Sequence, residues 1–238
     1  MLAALAGPAR SARAIFALAP LLFAVQAVAA PITVPPSLAS GAQYRLAFVT
    51  AGYRNATSSS IAVYDSFVQG QAYTEAALTS ISWQAIGSTA SVTARDHTGT
   101  APADGPGVPI FLLNGVKLVD DYEDLWNGDI DVALLIDQHG NIPASINVWT
   151  GSYSDGTAAG VLGNLNVTFG RSNRTDRGWI SAFGTSLLSQ HNLYALSAVL
   201  TVPVPEPDLT SLLALGVAAL LLLRVGLARA HATTSSGK

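Results

Sequence analysis

Residues 209–228 limit what the rest of this chain can be. These 20 residues carry a single charge, Arg224, and nothing polar interrupts Leu212–Leu223. At about 1.5 Å per residue the run covers a hydrocarbon core of roughly 30 Å. A helix buried in a protein core would keep a polar stripe on one face, and this run has none. A transmembrane helix over 209–228 is therefore expected. Glu206 and Asp208 precede it, whereas Arg224, Arg229 and Lys238 lie at or beyond its far end. The positive-inside bias then leaves 229–238 as a cytoplasmic tail and puts everything upstream on the far side of the inner membrane.

The other end agrees. Arg10 and Arg13 precede an apolar stretch from Ala14 to Val25, and Ala27-Val28-Ala29 supplies a small-x-small cleavage site. Residues 1–29 read as a secretory signal peptide, with Ala27 and Ala29 as the signal peptidase site. Cleavage one residue later would place Pro31 directly after the scissile bond, so cutting after Ala29 is preferred. Residues 30–42, with Pro31, Pro35 and Pro36, form an extended lead-in.

Between the folded region and the apolar run stands Pro205-Glu206-Pro207, inside the segment 203–208. Followed by a membrane helix and then basic residues, this motif resembles the PEP-CTERM sorting signal over about the last 35 residues. The family's tight arginine cluster is thinned here to Arg224 and Arg229, with a polar tail after it. The resemblance implies recognition by an exosortase-type membrane protease, cleavage near Pro205–Pro207, and release to the cell surface or beyond. An ordinary C-terminal anchor is the competing reading.

Removing both targeting segments changes the electrostatics. Ala30–Val204 keeps seven of the 12 basic residues and 13 of the 15 acidic ones, a net charge of −6. Such a domain does not suit nucleic acid, whose phosphates demand the opposite sign. The chain has no cysteine, which excludes disulfide scaffolds, Cys-ligated zinc and thiol chemistry.

An α+β domain is expected over 43–202, with helices near its front and mostly hairpins after them. Tyr44–Thr50 reads as a strand. Ile61, Tyr64, Val68 and Ala72 give helical spacing to about Ala77, and Ser88-Thr89 caps a brief second helix to about Asp96. Asn114-Gly115 between apolar runs predicts a type I′ hairpin. A second β-pair is expected from Val132–Ile136 and Ile146–Trp149, and late strands at Trp179 and Leu193–Val202. Gly151–Gly163 reads as loop.

The order of these elements resembles the C-type-lectin-like fold, its endostatin branch most closely. The residues concerned are Phe67-Val68-Gln69, Trp83–Ser88, Val108-Pro109-Ile110, Leu125-Trp126 and Val148–Gly151. The resemblance implies first and last strands pairing side by side. The sugar-binding members' calcium triplets are missing, and Trp126-Asn127-Gly128-Asp129 is broken by a glycine, so calcium-dependent sugar binding is not carried over.

No catalytic signature stands out: His97, His139 and His191 are isolated among turn residues. The acidic stretch Asp120, Asp121, Glu123, Asp124, Asp129, Asp131 and Asp137 lacks the ordered calcium-loop spacing and reads as a solvated face. No cofactor, metal or catalytic residue is expected. The candidate ligand surface consists of Trp149 beside the Gly-rich loop, Tyr153 and Asp155 within it, and Arg171, Arg174 and Arg177, which suit an anionic polysaccharide. Together these features predict an exported surface or extracellular-matrix protein that is an exosortase substrate. It would act without catalysis, as a binding or structural module associated with exopolysaccharide or biofilm. The alternative is a secreted hydrolase of envelope polysaccharide.

Overall fold

The computed structural model describes residues 31–205 and Leu213. The signal peptide with Ala27 and Ala29, most of the expected transmembrane helix, Glu206, Pro207, Arg224 and Arg229 lie outside the described residues. No helix among the described residues is long and apolar enough to cross a membrane.

The fold is mixed, with a sheet-rich core and few helices. The strands are β1 (Gln43–Val49), β2 (Trp83–Ala85), β3 (Ile110–Leu112), β4 (Lys117–Val119), β5 (Asn147–Trp149), β6 (Asn166–Arg171), β7 (Phe183–Ser186), β8 (Asn192–Ser197) and β9 (Leu200–Thr201). The helices are α1 (Ile61–Ala72), α2 (Ala94–His97) and α3 (Tyr122–Leu125). One sheet runs β4-β3-β1-β8-β5-β6-β7, with β2 also pairing β8 and β9 also pairing β1.

β1 and β8 form the centre. Antiparallel pairing joins Ala47–Val49 to Tyr194–Leu196, and β3 lies parallel on the other edge of β1. β9 returns to the start of β1, pairing Gln43 with Thr201 and Tyr44 with Leu200, so the first and last strands are neighbours.

Both faces of this centre are covered. Tyr44, Leu46 and Phe48 pack with α1, Trp83 and Trp149, whereas Ala47 and Val49 pack with Leu125, Trp179 and Ile180 on the opposite side. A strand buried on both faces has to be apolar nearly throughout, which is why Tyr44–Val49 shows no polar alternation. Its exception is Arg45, only 4% exposed. The Arg45 guanidinium donates to the carbonyls of Ser197 (2.7 Å) and Thr98 (2.8 Å), which satisfies a cation that no carboxylate touches among the described residues. Burial lowers its pKa, with Tyr122 and Asp104 opposing the shift.

Several expected elements are corrected. α1 stops at Ala72, because the Thr74 hydroxyl takes the Gln71 carbonyl at 2.6 Å and the chain re-forms as a 3-10 turn at Ala76–Leu78 that buries Leu78. α2 begins at Ala94 and is capped by Thr93, which accepts from the Asp96 N–H. The Ser88 hydroxyl instead accepts from the Ala94 N–H and meets Ser152 at 2.8 Å, buried.

The Asn114-Gly115 hairpin exists, yet only Gly115 has positive φ (79°). Its N–H closes on the Leu112 carbonyl, giving the three-residue loop type and not type I′.

Val132–Ile136 is no strand. Its Ile136 carbonyl accepts from the Val49 N–H in irregular backbone, and β5 pairs β6 and β8 instead. Trp179 sits in a 3-10 turn, Arg177–Trp179, and not in a strand; the strands on either side of it, β6 and β7, had no assignment from the sequence.

Candidate functional site

The six residues expected to share one ligand surface do not. Trp149 is fully buried: its indole N–H donates to the Arg54 carbonyl at 2.9 Å, and its ring lies 4.3 Å from His191 and edge-on to Phe169. It anchors the core, so the expectation that it reaches a loop surface is corrected. Gly151, at φ 62°, turns the chain away just after it, and a Cβ there would stand 2.6 Å from the Ser88 carbonyl. Tyr153 and Asp155 are carried outward. One Asp155 carboxylate oxygen accepts from both the backbone and the hydroxyl of Thr157. Desolvation works against this carboxylate, but the Thr157 hydrogen bonds and the field of Arg95 outweigh it and lower its pKa.

Arg171, Arg174 and Arg177 do converge. β6 ends at Arg171, the 3-10 turn carries Arg177, and β7 returns with Phe183; the three arginines and Phe183 line a groove of about 240 Å³. Gly170 makes this possible. The turn crosses β6 so closely that a Cβ at Gly170 would lie 2.0 Å from the Trp179 carbonyl oxygen. The Arg171 guanidinium sits 5.1 Å over the Phe183 ring, and its Nε is buried without a partner. Arg174 is paired with Asp176, which raises the arginine pKa and lowers that of the aspartate, and Asp176 also caps the turn at the Gly178 N–H. Arg177 has no ion pair among the described residues. Two of the three cations are thus left for a ligand, beside a ring that is 61% exposed.

A larger cleft of about 720 Å³ escaped the sequence reading. It lies between α2, the turn Pro102–Asp104, α3 and the tip of the Asp155 loop, and takes Arg95, Tyr122, Glu123 and Trp126 into its walls. The one signal available was glycine. Gly107 has φ +85° and presses so close to Tyr122 that a Cβ would stand 2.3 Å from the ring. Gly156 has φ +77°, and a Cβ there would stand 2.8 Å from the Trp126 ring.

The tryptophans are mostly core. Trp83, Trp149 and Trp179 are buried, and only Trp126 is partly open, stacked at 6.2 Å on Trp179 and donating to Thr100. The indole N–H groups of Trp83 and Trp179 are buried without an acceptor among the described residues.

The histidines separate as well. His97 meets Asp65 at 2.8 Å, and that carboxylate also accepts from the Ala85 N–H, so α1, α2 and β2 are tied together. His139 lies between Glu75 (3.5 Å) and Thr74 (3.3 Å), but the Thr74 proton is already given to Gln71. His191 is buried among Trp149 and Phe169 with its Nε2 unpartnered, and desolvation lowers its pKa.

Within the acidic stretch the roles divide. Asp121 caps α3, and the buried Asp137 closes a turn by accepting from the His139 and Asn141 N–H groups. Asp120, Asp124 and Asp131 bring carboxylates within 4.8 Å of one another, a set of hard oxygen donors able to hold a divalent cation; Lys117 already pairs with Asp120. Set against known families and curated proteins, the chain matches no family model and no curated sequence.

Proposed function

We propose that this is an exported bacterial surface or matrix protein. It is sorted by an exosortase-type protease at the inner membrane, and its folded domain, C-type-lectin-like in type, binds acidic exopolysaccharide without cleaving it. The observation that carries this reading is where the last strand ends. β9 ends at Thr201, Val202 is still buried and hydrogen-bonded to Ala42, and Pro205 is exposed at the start of Pro205-Glu206-Pro207. A protease acting at the membrane surface would meet Pro205, the first residue of the motif, exposed four residues after the last strand.

Two further features support it. β1 pairs with both β8 and β9, the neighbouring of first and last strands that a lectin-like domain requires. The arginine groove concentrates three of the domain's seven basic residues within seven positions, giving a net acidic domain one place for a carboxylate-bearing sugar.

Membrane fractionation with mass measurement of the C-terminus tests the sorting step. The expected product ends near Pro205–Pro207 and is found outside the inner membrane. Replacing Pro205, Glu206 and Pro207 with alanine should leave the uncut protein in the membrane. Uncut wild-type protein in the cytosol, with both apolar ends attached, would refute the reading. Incubation with a polyuronate completes the test: retention without released fragments is expected, and fragments would point to hydrolysis.

A further inference from the structure

The cleft between α2 and α3 differs chemically from the arginine groove and comes from other parts of the chain. Its volume, about 720 Å³, falls in the range of roughly 300–1,000 Å³ found for small-ligand sites. Pro102 and Pro106 supply apolar wall, joined by Tyr122 and Trp126. Both rings already have backbone pressed against them, from Gly107 and Gly156, and Trp126 also stacks on Trp179. Broad ring stacking is therefore not what the cleft offers.

Its polar groups are unsatisfied in a particular way. Arg95 has a buried Nε without a partner, and its Nη1 reaches only the Asp155 carbonyl, at 3.4 Å. Nε itself is closed off, but the remaining Nη N–H groups have no acceptor among the described residues and stay free to donate to an incoming oxygen. The Glu123 carboxylate is exposed and accepts no hydrogen bond from the described residues, and Asp155 uses one of its two oxygens, on Thr157. These three side chains sum to one positive and two negative charges. An anionic ligand would meet excess negative charge, and a cationic one would meet Arg95.

We propose that this cleft is a second binding site, for an uncharged polyhydroxylated ligand: a neutral sugar residue or short neutral oligosaccharide. Hydroxyl oxygens accept from Arg95, hydroxyl protons go to Glu123 and Asp155, and C–H edges rest on Pro102 and Pro106. The proposal goes beyond the groove reading, because it needs neither the arginine turn nor an acidic polymer. With both sites filled, one domain bridges acidic and neutral segments of a matrix.

The test uses the full chain in a detergent without a sugar headgroup. Cellohexaose and maltohexaose serve as neutral probes and oligogalacturonate as the acidic one, followed by calorimetry and tryptophan emission. At least one neutral probe should bind and shift the emission. Arg95→Gln should weaken it about tenfold or more, the scale of one lost charge-assisted hydrogen bond. Glu123→Gln, at an exposed side chain without hydrogen bonds, should weaken it about threefold with the fold intact. Arg177→Gln should leave neutral binding unchanged. The proposal is overturned if neither neutral probe binds at concentrations up to about 10 mM. Neutral binding untouched by both cleft substitutions, or oligogalacturonate competing for the cleft in Arg177→Gln, would overturn it too. Neutral binding without any oligogalacturonate binding would leave this site standing and remove the groove reading.

Discussion

The arginine groove and the α2–α3 cleft lie on either side of Trp179 and are built in opposite ways. The groove is local: three arginines within seven residues, brought round by one turn that Gly170 lets settle onto β6. The cleft draws Arg95, Pro102, Tyr122, Trp126 and Asp155 from segments spread over 61 positions. Trp179 joins them: Trp126 stacks on its ring, and its carbonyl accepts from the buried Tyr194 hydroxyl while lying against Gly170. A site made from one turn and the two strands it joins depends on few contacts, whereas a site made from distant segments inherits the stability of the whole core.

Trp179→Ala should damage both places most. Emptying a fully buried indole costs about 3–5 kcal/mol, measurable as a lower denaturant midpoint together with loss of polyuronate and neutral-sugar binding. Loss confined to one site would break the coupling through Trp179.

Gly170→Ala should come next, at about 1–3 kcal/mol or more, because the added methyl has backbone and not a flexible side chain in its way. It should displace the arginine turn and abolish polyuronate binding before it alters the cleft.

Arg45→Met acts on the cleft side. It removes the donor to the Ser197 and Thr98 carbonyls, and about 1–3 kcal/mol is expected in chemical denaturation. An unchanged midpoint would mean that those carbonyls are satisfied in another way.

The pH dependence belongs to the groove side, where His191 backs Phe169 and Trp149. Its folded pKa lies below the ordinary 6.5, so the unfolded chain takes up the proton first. Stability from this group is complete above about pH 6.5 and falls as pH drops below that value. His191→Phe should flatten the change in melting temperature between about pH 7 and pH 5; an unaltered slope would assign the effect elsewhere.

Smallest is Arg177→Gln. An exposed cation is worth at most about 1 kcal/mol, so polyuronate affinity should drop about two- to fivefold at low salt and converge with wild type at high salt, with no change in the midpoint.

How much of this was legible in the sequence follows the same division between local and distant. β1, the body of α1 and the Asn114-Gly115 hairpin announced themselves, since each depends on neighbours in the chain. Even there, the turn type was misread because Asn114 keeps negative φ and only Gly115 crosses over. Val132–Ile136 carried a strand's composition but lost its partner to geometry: β5 was claimed by β6 and β8. Pro143, which has no N–H to give a ladder, stands in the connection that would have joined the expected pair. Arg171, Arg174 and Arg177 were found because their spacing already places them together. Arg95 and Glu123 were missed because nothing near either residue points to the other.

By itself the sequence determined the net charge of Ala30–Val204, the absence of thiol chemistry, the apolar run after Pro205-Glu206-Pro207 and the expectation of export, because composition and length settle these wherever the chain folds. Only the tertiary structure decided that Trp149 is core, that Arg45 is buried against carbonyls, and that a cleft opens between α2 and α3. Those outcomes depend on which distant backbone arrives against a side chain, and the central pairing of β1 with β8, some 145 residues apart, is what brings it there.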